Sequence, residues 1–436
     1  MCARTYKKSM KSPILCCKTY KFSVCPNEIS VTFTPKFEFY FLILFRKTIM
    51  KYMKSILGTG VVLSLLAACA PQQPKQELTL SGLNPENFKK EVNGKQTDLY
   101  VLKNASGMEV CVTNFGGRIV SIMVPDKNGE MKDVVLGLDS VGAYLPENNQ
   151  TDFGASIGRY ANRINQGKIV IDGTEIQLPQ NNFGHCLHGG PDGWQYQVYE
   201  GSQPNDSTVV LVMNSPDGDA NFPGNMTATV TYTLTSDNAI DIDYKATTDK
   251  KTVINMTNHS YFNLSGDPNL KITDHILYVN ADNYTPVDTT YMTTGEIAPV
   301  AGTPMDFTTA KVVGKDIDAF DFEQVKNGNG FDHNWCLNTK GDLNQLAAKA
   351  VSPITGITLE VYTNEPGIQV YSGNFLDGTV TGKKGIVYNK RTGLCLETQK
   401  YPDTPNKSNL EGWPSATLEP GQTYNSRCIF KFGVEK

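Results

Sequence analysis

Apolar and polar residues alternate with a period of two along much of the chain. In residues 228–234, apolar side chains alternate with threonines, and the alternation resumes over 240–245 after the turn 236–238. A period of two places successive side chains on opposite faces of a sheet, so these stretches predict a hairpin with one polar face. Residues 168–171 and 175–178 flank the turn 172–174 and predict another hairpin, and 209–213 and 357–362 predict further strands.

Helical patterning is confined to 343–350, where we expect a short turn of helix. Glycine and proline punctuate the rest, and the strands are short and numerous. This arrangement is typical of an all-β protein, a large antiparallel β-sandwich. We expect it to form a single domain over 80–436, because no linker interrupts this part of the chain.

The stretch 50–68 reads as a bacterial lipoprotein signal peptide. A short basic segment precedes the apolar run 56–66, and Leu-Ala-Ala-Cys closes it at Cys69. This arrangement predicts lipidation of Cys69 and a location in the bacterial cell envelope, on the periplasmic side or at the cell surface. The apolar run is too short for a transmembrane anchor, so the lipid would be the sole membrane contact. Residues 69–79 then form a tether.

Residues 1–49 do not fit upstream of such a signal, which must begin the chain to be recognised. They are basic, hold four of the ten cysteines and include the aperiodic aromatic run 37–45. We interpret 1–49 as a non-native upstream extension, with translation starting at Met50 or Met53. An additional membrane segment at 39–45 is the competing interpretation, and it is much too short.

Composition and charge narrow the class of partner. The chain has 436 residues, 39% of them hydrophobic and 19% charged, which suits a soluble protein with a large core. Residues 1–68 carry 11 of the 40 basic and 2 of the 44 acidic residues, so the remainder has a net charge of −13 rather than −4. Such an acidic protein is a poor partner for nucleic acid, but it can bind a small neutral molecule.

The cysteines that follow Cys69 are five in number and form no Cys-x-x-Cys pair: Cys111, Cys186, Cys336, Cys395 and Cys428. This predicts neither a zinc site nor a disulfide framework. We expect small buried residues, although an oxidising compartment would permit a pair. His185-Cys186-Leu187-His188 resembles a metal-binding pair, but nothing nearby completes a ligand set, so no metal is predicted.

The most informative segment is 255–264, Asn-Met-Thr-Asn-His-Ser-Tyr-Phe-Asn-Leu. It follows the predicted strand 251–254 and surrounds His259 with amide, hydroxyl and aromatic side chains. Imidazole can give or take a proton near neutral pH, and the neighbouring groups suit a small uncharged polyol. Taken alone, His259 is better interpreted as a buried histidine satisfied by its neighbours.

Five further motifs favour a catalytic role for His259 over a structural one. They are Gly-Arg-Tyr-Ala-Asn-Arg-Ile at 158–164, Cys-Leu-His-Gly-Gly at 186–190, Asn-Gly-Phe-Asp-His-Asn at 329–334, Pro-Gly-Ile-Gln-Val-Tyr at 366–371 and Leu-Cys-Leu-Glu-Thr-Gln at 394–399. With 257–264, this set resembles the signature of the aldose 1-epimerases, the galactose mutarotases, over about 80–433. The resemblance implies the galactose-mutarotase-like supersandwich fold.

The resemblance also implies a reaction and its residues. Such enzymes interconvert the α and β anomers of free aldoses such as glucose or galactose, without a cofactor. Glu397 would be the base and His259 the acid, and we expect them on opposite sides of the bound sugar. The residues expected to hold the sugar are Asn162, Arg163, His188, Ser260, Tyr261, Asp332 and Gln369. Gln195 and Tyr199 depart from the family pattern, which leaves the preferred sugar open.

Two other functions stay open from the sequence. A retaining glycosidase would use two carboxylates, such as Glu397 and Asp332, about 5 Å apart. A catalytically silent sugar-binding lipoprotein would need a stacking platform, for which Trp194, Trp335 and Trp413 are candidates. The presence of both Glu397 and His259 favours an enzyme, because a binding module needs neither.

Overall fold

The computed structural model describes residues 19–24, 27–32, 77–148 and 151–435. The chain divides into two units, Met1–Lys75 and Gln76–Lys436. In the first unit, β1 (Thr19–Val24) pairs with β2 (Asn27–Thr32) in an antiparallel hairpin. The predicted signal peptide 50–68, Cys69 and the tether up to residue 76 lie outside the described residues.

The second unit is built of short strands. In chain order they are β3 (Glu91–Val92), β4 (Lys95–Gln96), β5 (Leu99–Lys103), β6 (Glu109–Thr113), β7 (Arg118–Pro125), β8 (Met131–Asp133), β9 (Ala155–Ile157), β10 (Arg163–Ile164), β11 (Lys168–Ile171), β12 (Thr174–Gln177), β13 (Cys186–Leu187), β14 (Glu200–Asn205), β15 (Thr208–Ser215) and β16 (Met226–Leu234). They continue with β17 (Ala239–Thr248), β18 (Thr252–Val253), β19 (Thr257–His259), β20 (Ile276–Val279), β21 (Asn283–Thr285), β22 (Ala298–Pro299), β23 (Lys311–Val312), β24 (Asp332–Cys336), β25 (Ala348–Val351), β26 (Ile357–Thr363), β27 (Gly367–Tyr371), β28 (Cys395–Gln399), β29 (Thr417–Leu418) and β30 (Tyr424–Val434).

The helices are all short. The α-helices of the described residues are α1 (Val141–Tyr144), α2 (Glu323–Asn327) and α3 (Thr404–Lys407). Single 3₁₀ turns occur at Pro85–Phe88, Asn165–Gly167, Trp194–Tyr196, Asp219–Asn221, Ile272–Asp274, Val313–Lys315 and Lys383–Gly385. In the part of the chain that the structure describes, no helix is long and apolar enough to cross a membrane.

Three antiparallel sheets make up the body of the second unit. The largest has nine strands in the order β14-β15-β16-β17-β30-β26-β25-β20-β23. A five-stranded sheet runs β22-β21-β24-β27-β28, and a four-stranded sheet runs β5-β6-β7-β8. Apolar side chains of all three sheets pack into one hydrophobic core, to which Val110, Val230 and Ile368 each contribute from a different sheet. The predicted all-β sandwich is confirmed.

The predicted hairpins form as the alternation indicated. Strands β16 and β17 pair from Met226↔Thr248 to Leu234↔Ile240, and alternate residues of β16 are buried. Strands β11 and β12 pair around the turn at 172–173. The five cysteines of the second unit are buried thiols, as expected.

The helix expected at 343–350 is wrong. Residues 348–351 instead form β25, whose Ala348 and Ala350 face the core while Lys349 and Val351 are only partly buried. Alanine favours helix in isolation, but the neighbouring strands β20 and β26 both offer unpaired backbone groups to this segment. Tertiary pairing therefore overrides the local preference.

Candidate active site

A cleft of about 320 Å³ collects most of the predicted site residues. Its walls are formed by Asp152, Asn162, Arg163, Asn182, Phe183, Leu187, His188, His259, Tyr261, Asp332, Gln369, Tyr371, Phe375 and Glu397. All the residues predicted from the sequence are present except Ser260. The individual roles assigned to them stay predictions.

His259 and Glu397 lie side by side at the bottom of this cleft. His259 ends β19 and Glu397 is in the middle of β28, and both side chains are almost fully buried. The Nε2 atom of His259 is 3.5 Å from Oε1 of Glu397. The expectation that acid and base stand on opposite sides of the sugar is therefore wrong. The reason is topological, since β19 and β28 run next to each other and present both groups from one wall.

Burial sets the protonation of this pair. It lowers the pKa of the His259 imidazole to about 3. Burial also raises the pKa of Glu397 well above its ordinary value, and the carboxylates of Asp332 and Asp152 add to that rise, while Arg163 opposes it. Both shifts favour the neutral imidazole and the protonated carboxyl group when the two side chains share one proton.

The register of the five-stranded sheet brings three polar side chains of neighbouring strands together on one face. Glu397 on β28 stands directly across from Gln369 on β27, and Asp332 on β24 stands across from Tyr371. Gln369 Nε2 donates to Asp332 Oδ1 at 2.7 Å, which fixes both side chains. Three neighbouring strands thus present a carboxylate, an amide and a second carboxylate on one face.

Asn162, Arg163 and His188 come from the paired strands β10 and β13 and the turns beside them. The backbones of Asn162 and His188 are left-handed, with φ of 63° and 53°. His188 N–H donates to the Asn162 carbonyl, and Asn162 N–H donates to His188 Nδ1, both at 3.1 Å. Since Nδ1 accepts a hydrogen bond, the proton of the neutral His188 ring is on Nε2. Burial lowers the pKa of His188 well below its usual value and keeps it neutral.

The cation of the cleft is Arg163. Its Nε donates to Asn182 Oδ1 at 3.1 Å, and its guanidinium lies 5.0 Å from the centre of the Tyr291 ring. Burial lowers the pKa of Arg163, and the Asp332 carboxylate opposes that shift. Asn182 and Tyr291 thus fix the Arg163 guanidinium, which can donate hydrogen bonds to polar groups of a ligand.

Aromatic rings line the cleft from bottom to mouth. Tyr261 stacks on the His259 ring at 5.0 Å, and Tyr371 meets Tyr261 edge-on at 5.9 Å. At the mouth, Phe183 and Phe375 are 55% and 51% exposed. Such faces suit the C–H surfaces of a sugar ring.

Ser260 does not line the cleft. Alternate residues along an extended chain point to opposite sides, so His259 and Tyr261 share a side and Ser260 faces away from them. The Ser260 side chain is completely buried, and its N–H donates to Asn258 Oδ1. The prediction that Ser260 holds the sugar is not supported by this placement.

The sequence reasoning missed several lining residues. Tyr371 ends the motif 366–371, of which only Gln369 is predicted to hold the sugar. Asp152 stands seven residues before Arg159 and outside every motif, so nothing in its local sequence marked it. Phe183 and Phe375 are scattered aromatics whose position at the mouth depends on the fold.

The tryptophans proposed as a stacking platform are buried. Trp194, Trp335 and Trp413 are 2%, 0% and 7% exposed. Trp194 packs on Gly158, where a methyl group would meet its ring at 2.1 Å. These side chains hold the structure together, and they leave no face for a sugar.

Two groups of side chains could bring three ligand atoms within 4.8 Å of one another, namely Asp152 with His188 and His259, and His259 with Cys395 and Glu397. Both fit a metal ion poorly. His188 carries its proton on Nε2, so that nitrogen has no lone pair to offer. Burial raises the pKa of Cys395 well above its usual value and keeps it a thiol, whereas metals bind the thiolate. The site offers proton donors and acceptors instead.

A large antiparallel sandwich with a buried imidazole–carboxylate pair in a polar, aromatic cleft defines a carbohydrate-binding protein equipped for acid–base chemistry. Residues 98–431 match the family described as aldose 1-epimerase. Galactose mutarotase from Homo sapiens is 41% identical over 327 residues, which are 75% of this chain and 92% of that protein. Aldose 1-epimerase from Escherichia coli K12 is 38% identical over 346 residues, or 79% of this chain and 97% of that protein.

Solved structures agree. An aldose epimerase homologue from C. elegans superimposes with a TM-score of 0.71 and 29% identity, over 78% of this chain and all of that one. Galactose 1-epimerase from Lactobacillus acidophilus gives a TM-score of 0.69 and 30% identity, over 80% and 98% of the two chains. The chain therefore belongs to the aldose 1-epimerase family and is an isomerase, an epimerase acting on carbohydrates. The resemblance seen in the motifs is confirmed.

Proposed function

We propose that this enzyme interconverts the α and β anomers of free aldoses, with Glu397 as base and His259 as acid. The observation that carries the proposal is the buried pair at the bottom of the cleft, with Nε2 and Oε1 3.5 Å apart. Glucose and galactose are the proposed substrates, and relatives of this chain are named for galactose.

The pair can open the sugar ring without any net change in protonation. The step begins with the shared proton on His259. The Glu397 carboxylate then takes the proton of the anomeric hydroxyl, and the His259 imidazolium gives its proton to the ring oxygen. The bond from C1 to the ring oxygen breaks as the C1 carbonyl forms. Rotation about C1–C2 followed by the reverse steps closes the ring on the other face and gives the second anomer.

Glu397 and His259 can act from neighbouring positions because the anomeric oxygen and the ring oxygen are bonded to the same carbon. A base and an acid on one wall can therefore each meet one oxygen of a single C1 centre. After ring opening, the proton is on Glu397 and His259 is neutral, which is the form that burial favours for both. The pair can thus return the protons in the opposite sense.

The charges of the cleft support a neutral substrate. Among the described residues that line the cleft, Asp152, Asp332 and Glu397 are acidic, and Arg163 carries the only guanidinium. A sugar phosphate would bring further negative charge to these carboxylates. Phosphorylated hexoses are therefore disfavoured, and free aldoses fit.

Polarimetry on freshly dissolved α-D-glucose and α-D-galactose tests the proposal. The enzyme should accelerate the approach to the equilibrium rotation without releasing any product. Incubation with oligosaccharides should yield no new reducing ends, whereas a glycosidase would release them. Sugar binding without acceleration would instead identify a silent binding protein, and the proposed activity would be wrong.

We also propose that the enzyme is lipid-anchored at Cys69 in the bacterial cell envelope. The basic opening, the apolar run 56–66 and Leu-Ala-Ala-Cys support this. The protein made from its natural gene should partition with membranes and show the mass of a lipidated N-terminal cysteine. The Cys69→Ala variant should lose both properties and keep its mutarotase activity. Wild-type protein with an unmodified Cys69 would contradict the anchor and leave the catalytic proposal intact.

A further inference from the structure

Asp152 is a carboxylate of the cleft that takes no part in the proposed proton transfers. It lies just before β9, is partly buried and lines the cleft beside His188 and His259. Its Oδ1 is buried and has no hydrogen-bond partner within the described ranges. Burying a carboxylate oxygen without a partner is costly, so this atom is better explained by a group that a ligand supplies.

The segment that carries Asp152 is held firmly. The buried side chain of Arg118 donates from one terminal nitrogen to the carbonyls of Thr151 and Phe153, each at 3.1 Å. The Arg118 guanidinium also lies 4.9 Å from the centre of the Tyr144 ring. Both residues flanking Asp152 are thus fixed to the body of the protein, and the carboxylate is pre-positioned.

A donor stands opposite this acceptor. His188 carries its proton on Nε2, because its Nδ1 accepts the Asn162 N–H. A ring nitrogen of His188 and a carboxylate oxygen of Asp152 lie within 4.8 Å of each other. A hydroxyl oxygen about 2.8 Å from each of two partners, at a tetrahedral angle, joins partners about 4.6 Å apart. A separation within 4.8 Å is therefore compatible with one hydroxyl that donates to Asp152 and accepts from His188.

We propose that Asp152 and His188 grip a single hydroxyl of the aldose, which makes Asp152 a specificity-determining residue. The identity of the ligand as an aldose rests on the proposed function, while the grip itself rests on the geometry. A sugar that lacks this hydroxyl, or carries it in the other configuration, forfeits both hydrogen bonds at once.

Three variants test the grip: Asp152→Asn, Asp152→Ala and, as a matched control for charge removal, Asp206→Asn at an exposed position outside the cleft. Mutarotation is measured with D-glucose and with its 2-, 3-, 4- and 6-deoxy analogues. With glucose, KM should rise about ten- to hundredfold in Asp152→Ala and less in Asp152→Asn, while kcat changes little. Asp206→Asn should match the wild type.

The deoxy sugars identify the hydroxyl. For one analogue, the wild type should already show the raised KM, and Asp152→Ala should add almost nothing to it. Equal losses with every analogue, an unchanged KM, or a fall in kcat alone would overturn the proposal. Thermal unfolding of each variant checks that it is folded, and the near-isosteric Asn variant keeps the test valid should the Ala variant unfold.

Ionisation gives a second readout. Burial raises the pKa of Asp152 to about 6, and Arg118 opposes this rise. As pH falls through about 6, the carboxylate gains a proton and loses its charge-assisted acceptor, so the KM of the wild type should rise. Asp152→Asn should remove that rise, and an unchanged rise in the variant would count against the grip. The titratable groups facing Asp152 are Arg118, His188, Tyr196, His259, Tyr261, Cys395 and Glu397.

Calorimetry separates failure of this proposal from failure of the proposed function. Should the wild type bind D-glucose without accelerating mutarotation, the proposed activity is wrong, and the grip is judged from Kd instead. The same tenfold or greater loss should then appear in the Kd of Asp152→Ala and vanish with one deoxy sugar. Equal Kd values for wild type and variant would reject the grip independently of any turnover.

Discussion

At the scale of single residues, the chemistry depends on one proton shared by His259 and Glu397. A second proton enters the pair only in acid, because burial lowers the pKa of His259 to about 3. The shared proton is lost at a higher pH than that of an ordinary carboxyl group, because burial raises the pKa of Glu397 well above its usual value. Gain of the second proton leaves the pair without a base, and loss of the shared proton leaves it without an acid. Either change disables the pair.

The pH dependence of kcat follows from this. We expect kcat to fall on the acid side only well below the ordinary pKa of histidine, and to fall on the basic side only above the ordinary pKa of a glutamate side chain. Stopped-flow polarimetry with saturating sugar measures it. An inflection of kcat near 6.5 would mean that His259 titrates as a free imidazole, contrary to the account.

Most of the site could be predicted from the sequence because its residues lie in short motifs with distinctive chemistry. Ser260 and Asp152 mark the limit of that reasoning. Ser260 belongs to the most informative motif, yet it does not line the cleft that His259 and Tyr261 on either side of it line. Asp152 belongs to no motif, and the carbonyls on either side of it are held by Arg118, which is distant in the sequence.

At the scale of elements, strand register assembles the site. Asp332, Gln369 and Glu397 come together because β24, β27 and β28 pair in one particular register. A shift of any one of these strands by one residue would turn its polar side chain to the other face of the sheet. Alternation in the sequence predicts which residues are strands, but the pairing partner and register depend on contacts far apart in the chain. The misassigned β25 has the same cause, since its neighbours decide its conformation.

The turn after His188 supports the side of the cleft formed by Asn162 and His188, and glycine substitutions there can test its importance. Gly189 has a φ of +81°, and a Cβ there would lie 2.3 Å from the Gly158 carbonyl oxygen. Gly173 has a φ of +80° but open space around it, so it is a matched control. Left-handed backbone costs an alanine about 1–2 kcal/mol at both positions.

We therefore expect Gly189→Ala to lose more stability than Gly173→Ala, because it adds a backbone clash to the same conformational cost. Its KM should also rise, since Asn162 and His188 hold each other beside this turn. Urea denaturation and mutarotation kinetics on both variants measure this. Similar losses in the two variants would show that the close approach of Gly158 is unimportant.

At the scale of the whole molecule, charge limits the range of substrates. The chain after residue 68 carries a net charge of −13, from 29 basic and 42 acidic residues. Long-range repulsion by this net charge and local repulsion by the carboxylates of the cleft both weaken the binding of an anionic sugar.

Glucose 6-phosphate should therefore have a much lower kcat/KM than glucose. Added salt should narrow the gap by raising the value for the phosphate and leaving that for glucose unchanged, because screening affects only the charged ligand. The comparison is made by polarimetry at low and moderate ionic strength. Equal values for the two sugars at low salt would contradict this view of the cleft.

The central claim is that one buried pair performs the reaction, and the most direct measurement is the mutarotation rate of α-D-glucose with Glu397→Gln, His259→Asn and the double variant. Each single variant should bind the sugar and lose about 10²–10⁴-fold in kcat. The double variant should be barely worse than either, because the two groups act as a unit. Wild-type rates in Glu397→Gln, or losses that multiply in the double variant, would contradict the account.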